Sequence, residues 1–182
     1  GFTSFSPGVD AITAATPGML LKSAGITEQA GGSGVDFADL LLGRTSGVTG
    51  GTCTILVIIC GLYLVFSKVA SHRIVISGIL GYVLVQWLLF AGGVDKAVPP
   101  VYSLLAGSAL IGIFFYATDP VSASHTDIGR WIYGAFVGIM SSVISVYSSW
   151  PAGTMFAILL ANMFAPIMDY AIKSLQNKQQ NK

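Results

Sequence analysis

Charge is scarce in this 182-residue chain. Nine Lys+Arg and eight Asp+Glu make up 9% of it, against about 25% in an average soluble domain. An ordinary water-soluble globule is therefore excluded. No Lys/Arg-rich run exists and the net charge is +1, so nucleic acid finds no electrostatic footprint. Only two cysteines occur, Cys53 and Cys60. Their spacing inside an apolar run suits neither a disulfide framework nor a CxxC pair, and they read as small buried apolar residues. The two histidines, His72 and His125, have no Cys or His companion at ligand spacing, so no metal centre is expected. No Ser/His/Asp or Cys/His set emerges, so no catalytic residue is assigned and hydrolysis is not expected. The glycines fit neither GxGxxG after a strand nor GxxxxGK[ST]; Gly47 to Gly51 lacks the phosphate-reaching lysine. A basic n-region before a short apolar core is also lacking, and the first residue is Gly1, so the chain reads as a fragment or a processed product.

What is present is apolar length. Six charges fall in residues 1–44 and three in the last ten, which leaves eight for the 128 residues from Thr45 to Ile172. A helix needs about 20 apolar residues to cross a hydrocarbon core of about 30 Å. Charge-free gaps of that order run from Thr45 to Ser67, Ile74 to Val94 and Ala97 to Thr118, and a longer one from Trp131 to Met168 breaks at Trp150-Pro151. The expectation is an all-α membrane protein with about five transmembrane helices. Their cores are Thr52 to Phe66, Ile74 to Ala91, Val101 to Ala117, Ile132 to Tyr147 and Thr154 to Ile172. Gly134/Gly138 and Ala157/Ala161/Ala165 have the spacing that lets helices pack closely. Five spans put six Lys/Arg (Lys68, Arg73, Arg130, Lys173, Lys178, Lys182) on one side and three (Lys22, Arg44, Lys96) on the other. The positive-inside rule then assigns the C-terminus to the cytoplasm and residues 1–44 to the periplasm of a bacterial inner membrane. The organisation expected is a periplasmic segment 1–44 with a glycine-rich, loop-like second half, a five-helix region 45–172 and a cytoplasmic tail 173–182, polar and frayed from Gln176 to Lys182.

Three clusters can carry chemistry. In Asp10-Ala11-Ile12-Thr13-Ala14-Ala15-Thr16-Pro17, Thr16 reads as an N-cap with Pro17 at the first helical position. The same geometry favours a phosphate at the helix start. Asp119, in Ala117-Thr118-Asp119-Pro120-Val121-Ser122-Ala123-Ser124, ends the third span with a carboxylate beside a helix breaker. It either caps a turn or offers oxygen to a hard cation. Asp169, on the last span after Asn162 and Pro166, has Lys173 four residues on. It forms an i,i+4 ion pair or belongs to a polar pathway.

These three runs, in this order, resemble the B subunit of the Na⁺-translocating NADH:quinone oxidoreductase (Nqr). The related D subunit of the Rnf complex shares the framework. Asp10 to Thr16 is similar to the D-x-x-S/T-x-A-T flavinylation motif, with Ala14 where many members have glycine. The ATDPVSAS run leans toward the Nqr subunit, whereas VDAITAATP fits the Rnf subunit equally well. The resemblance implies FMN joined by a phosphoester to Thr16 by a periplasmic flavin transferase, with Asp10 and Thr13 read by that enzyme or seating the phosphate. It implies an ion-pathway role for Asp119 and Asp169, which match acidic positions linked to sodium uptake. It also implies partner subunits, among them a second periplasmic flavin subunit. The match covers the C-terminal half of the family subunit, and the helices carrying much of the quinone and riboflavin pocket lie in the other half. The function expected is electron transfer in a cation-translocating complex. A non-redox half of an ion transporter and a helix-packing scaffold are the rivals.

Overall fold

The computed structural model describes residues 3–6, 9–13, 37–43, 53–94, 97–106, 109–148 and 153–180. Two short strands, β1 (Thr3–Ser6) and β2 (Val9–Thr13), form an antiparallel hairpin in which Thr3 faces Thr13 and Ser4 faces Ile12. The hairpin lies within residues 1–44, ahead of the helical region, where alternating small and β-branched residues over so few positions leave no sequence signal above that of a loop. Helix α1 (Phe37–Leu42) follows, then α2 (Thr54–Phe66), α3 (His72–Ala91), α4 (Pro100–Ala106) and α5 (Ala109–Ile111). α5 runs into a π-helix over Gly112–Tyr116, and α6 (Asp127–Tyr147) and α7 (Gly153–Gln180) complete the chain.

Among the described residues, three helices are long and apolar enough to cross a membrane: His72–Ala91, Asp127–Tyr147 and Gly153–Lys178. α2 has the expected place but only 13 residues, about 20 Å at 1.5 Å per residue. The expected third helix, Val101 to Ala117, is instead in pieces. Hydrogen bonds nevertheless show that those pieces traverse the bundle. At the α3 C-terminal half, Gln86 Nε2 donates to the Val98 carbonyl at 2.9 Å and the Tyr82 hydroxyl lies 2.7 Å from Ser103 Oγ. At the opposite end, Arg73 and Asp127 form an ion pair that joins the starts of α3 and α6. The chain leaves α3 at one end and enters α6 at the other, so α4, α5 and the π-helix carry it across between them.

The core is the packing of α6 against α3 and α7. At the α3 contact the side chains are glycines because the backbones touch. A Cβ on Gly138 would run into the Gly78 carbonyl and stand 2.8 Å from the Tyr82 nitrogen; one on Gly134 would stand 2.6 Å from the Ile74 carbonyl. Gly134 and Gly138 thus do what their spacing suggested. Ala157, Ala161 and Ala165 of α7 are likewise buried, the last two in a cluster with Tyr133, Val137 and Ile158. Polar groups inside the bundle meet one another, as they must where water is absent. Ser142 donates to Gln86 Oε1 at 2.9 Å, and Ser141 and Thr154 hydroxyls lie 2.7 Å apart. α7 continues to Gln180 rather than fraying at Gln176, since no Gly or Pro follows Pro166 to stop it. Cys53 and Cys60 are free and half-buried rather than buried.

Candidate functional site

The densest polar chemistry sits where the ends of α2, α3, α6 and α7 meet the loop from Ala117 to Thr126. Asp119 opens that loop. Its Oδ2 accepts from the Ser122 hydroxyl at 2.8 Å and its Oδ1 from the Val121 N–H at 3.3 Å. The Ser122 hydroxyl first, and the Val121 N–H second, hold the Asp119 carboxyl below its ordinary range. Pro120 cannot donate and pins the turn. Thr118 returns its hydroxyl to the Phe114 carbonyl at 2.7 Å, satisfying an acceptor that the π-turn leaves free.

Asp169 closes the same loop from α7. Its carboxylate accepts from the Ser124 hydroxyl at 2.5 Å, the His125 N–H at 2.9 Å, the Thr126 hydroxyl at 2.7 Å and the Thr126 N–H at 3.2 Å. Of the two readings of Asp169, the i,i+4 ion pair to Lys173 is not formed: four donors already surround the carboxylate, and Lys173 stands exposed. Thr126 is also the N-cap of α6, accepting from the Gly129 N–H at 3.2 Å. Gly129 has to be glycine, since a Cβ there would meet Ser124 Oγ, Thr126 Oγ1 and Asp169 Oδ1 together. One carboxylate on α7 therefore fixes how α6 begins.

A second pair lies one step deeper. The Tyr133 hydroxyl donates to Asn162 Oδ1 at 2.6 Å, with Tyr133 fully buried. Pro166 lacks an N–H, so the Asn162 carbonyl has lost its usual helical donor. Two clefts open beside these groups. The larger, about 560 Å³, is mostly apolar, with Leu64, Phe115 and Leu159 on its walls and Asp119 and Asn162 at its polar side. The smaller, about 250 Å³, is lined by Lys68, Ser71, Asp119, Ser124, His125 and Arg130.

Asp119 and Asp169 are thus brought to one loop and one end of the bundle, as their sequence positions implied. Asp10 and Thr13 lie in β2, and Thr16 lies outside the described residues. Sequence reasoning missed Ser124, Thr126 and Tyr133. The hydroxyl-rich alternation Ser122, Ser124, Thr126 was the available signal for the first two; a tyrosine in an apolar run gave none for the third. Among the described residues no group of three His, Cys, Asp or Glu could hold a metal ion.

A model of the NQR2, RnfD, RnfE family matches residues 1–178, and the chain belongs to that family. It is 38% identical over 169 residues to the B subunit of the Na⁺-translocating NADH-quinone reductase of Pseudomonas paraeruginosa, covering 90% of this chain and 42% of that protein. The corresponding protein of Neisseria meningitidis serogroup B is 37% identical over 160 residues, 85% of this chain and 39% of the relative. That of Klebsiella pneumoniae is 38% identical over 171 residues, again 90% and 42%. The chain spans about two fifths of the length of these relatives.

Proposed function

We propose that this member of the NQR2, RnfD, RnfE family is an electron-transfer subunit of a cation-translocating NADH oxidoreductase complex of the bacterial inner membrane, with FMN esterified to Thr16. The observation that carries the reading is the family match across residues 1–178, which takes in the Asp10-Ala11-Ile12-Thr13-Ala14-Ala15-Thr16 run. In that run Thr16 offers the hydroxyl that a phosphoester needs. Asp10 and Thr13, in the extended backbone of β2, are the positions a flavin transferase reads or that seat the phosphate. Bound FMN supplies one- and two-electron redox chemistry, while the chain positions it and sets its surroundings. The passes of the bundle cross the membrane five times. Residues 1–44 are periplasmic, and the end bearing Asp119, Asp169, Lys68 and Arg130 is cytoplasmic. Other complex subunits, including a second periplasmic flavin carrier, are partners. Quinone and riboflavin belong to the longer protein that the relatives represent.

Co-expression with a flavin transferase tests the reading. The denatured, washed wild-type polypeptide is expected to stay fluorescent in the gel, Thr16→Val to lose all fluorescence and Thr13→Val only part of it. Fluorescence that persists in Thr16→Val sinks the assignment. For the aspartates, Asp119→Asn should leave flavin content normal and weaken the dependence of turnover on sodium in the assembled complex. An unchanged sodium dependence returns Asp119 to turn capping.

A further inference from the structure

The two clefts beside Asp119 adjoin: Val69, Thr118, Asp119 and Pro120 line both. One is apolar and open along the bundle between α2, the π-helix and α7. The other is polar and lies at the bundle's end. Together they have the shape of an amphiphile, a groove of about 560 Å³ for hydrocarbon leading into a pocket of about 250 Å³ for a small head.

The charge of the head follows from the side chains around the smaller cleft. Arg73 and Arg130 share the single carboxylate of Asp127, at an ion pair and at 3.9 Å respectively. Lys68 has no carboxylate of its own among the described ion pairs, and Asp119 is engaged by Ser122 and Val121. Of the residues that line the cleft itself, Lys68 and Arg130 are cationic and Asp119 is anionic, which leaves +1 at its wall; Asp169 stands behind Ser124 and His125, its oxygens taken by their donors and those of Thr126. Ser71, the N-cap of α3, lines the same cleft without making a side-chain capping bond, and the first turn of α3 has no acidic residue. No acidic residue of α3 itself therefore offsets the positive end of this 20-residue helix.

Lys68 supplies an independent observation. Its φ is +58°, in the left-handed region where glycine is the usual residue after a helix C-terminus. The turn is otherwise the ordinary helix stop, with the Val69 and Ala70 N–H groups both donating to the Leu64 carbonyl at 3.1 Å. A glycine would fold this turn with less strain, yet a lysine stands there and lines the cleft.

We propose that the joined clefts bind an anionic phospholipid. Its phosphate meets Lys68 and Arg130, a glycerol hydroxyl of the head donates to Asp119, and one acyl chain lies along Leu64, Phe115 and Leu159. A net charge of −1 on the head matches the +1 of the cleft. An ammonium head would satisfy Asp119 but cancel the phosphate charge that the surplus cation favours.

The test uses the complete complex, stripped of lipid in uncharged detergent and returned to bilayer discs of phosphatidylethanolamine with and without phosphatidylglycerol. Phosphatidylglycerol retained after washing is measured by mass spectrometry, beside the melting temperature. Wild type should retain it selectively. Lys68→Gly should lower retention about fivefold, one membrane-facing cation's worth, while melting in detergent alone stays level or rises because the left-handed turn is relieved. Leu159→Trp, which fills the groove without touching charge, should lower retention as well. Lys173→Gln with Lys178→Gln removes two exposed cations elsewhere and should leave retention unchanged. The proposal is overturned if that control pair lowers retention as much as Lys68→Gly, if phosphatidylethanolamine is held equally well, or if millimolar inorganic phosphate displaces the lipid. The last result would make the cleft a site for free phosphate.

Discussion

Asp169 carries four hydrogen bonds from three consecutive residues, so its removal strands two hydroxyls and two N–H groups at once. Each hydrogen bond to a charged group contributes about 1.5–3 kcal/mol, but groups near the bundle's end regain water. Asp169→Ala is therefore expected to cost about 2 kcal/mol, and Asp169→Asn less, because its carbonyl keeps one acceptor. Lys173→Ala should change stability by less than about 0.5 kcal/mol, since no ion pair is lost. Thermal unfolding of the three variants in one detergent checks all of this, and a Lys173 effect as large as that of Asp169 would restore the i,i+4 pair. Asp119 makes a pH prediction. Its folded pKa is depressed by Ser122 and Val121, so its contribution is fully present above the unfolded value of about 3.9 and is lost as pH falls through the folded one. Ser122→Ala removes the larger cause. The drop in melting temperature between pH 6 and pH 3 should be smaller in Ser122→Ala than in wild type, and an equal drop would rule out this hydrogen bond as its source.

The contact between α3 and α6 is the element most directly written in the sequence. Gly134 and Gly138 stand four apart in an apolar run, and backbone carbonyls fill the space their side chains would need. Gly138→Ala gains about 1 kcal/mol of helix propensity but must displace the Gly78 backbone, and overpacking of that kind costs about 1–3 kcal/mol. The variant should lower the melting temperature, whereas Gly61→Ala, whose new Cβ has its nearest neighbours in the Phe114 ring, should cost less because a side chain can turn aside. The reverse order would mean that the helices slide apart freely. α3, α6 and α7 were legible for the same reason that this contact was: long charge-free runs end in proline, glycine or charge. The broken third pass was not. Val101 to Ala117 is as apolar as its neighbours, and composition cannot separate a continuous helix from α4, α5 and a π-turn whose Gly112 lies against Thr154 of α7. The i,i+4 reading of Asp169 failed because helical spacing reveals partners on the same helix, while its hydrogen-bond donors are 43 to 45 residues away.

At the scale of the whole molecule, sidedness follows from which ends meet. The Arg73–Asp127 pair and the Asp169 contacts bring the starts of α3 and α6 together with Asp169 of α7. Lys68, just past α2, lines the same cleft as Asp119. The turn at 67–71, the loop at 117–126 and the tail after α7 therefore share one side, and the turn at Val94 lies on the other. Counting only the three helices that are long enough individually would allow α2 to stay on the surface, which moves residues 1–44 to the side of the tail. The five-pass arrangement sends them to the side of Val94. With Cys53 and Cys60 replaced by serine, single cysteines at Gly32, Val94, Val121 and Gln179 separate the two cases by reaction with a membrane-impermeant maleimide. Val121 is 83% exposed, so it reports on its side without unfolding. Cysteines at 32 and 94 should label from the periplasm, and those at 121 and 179 only after the cells are opened. Labelling of 94 without 32 would show that α2, about 20 Å long, does not cross. It would also remove Thr16 from the reach of a periplasmic transferase, because a flavin can be joined only to a hydroxyl on the side where the enzyme works.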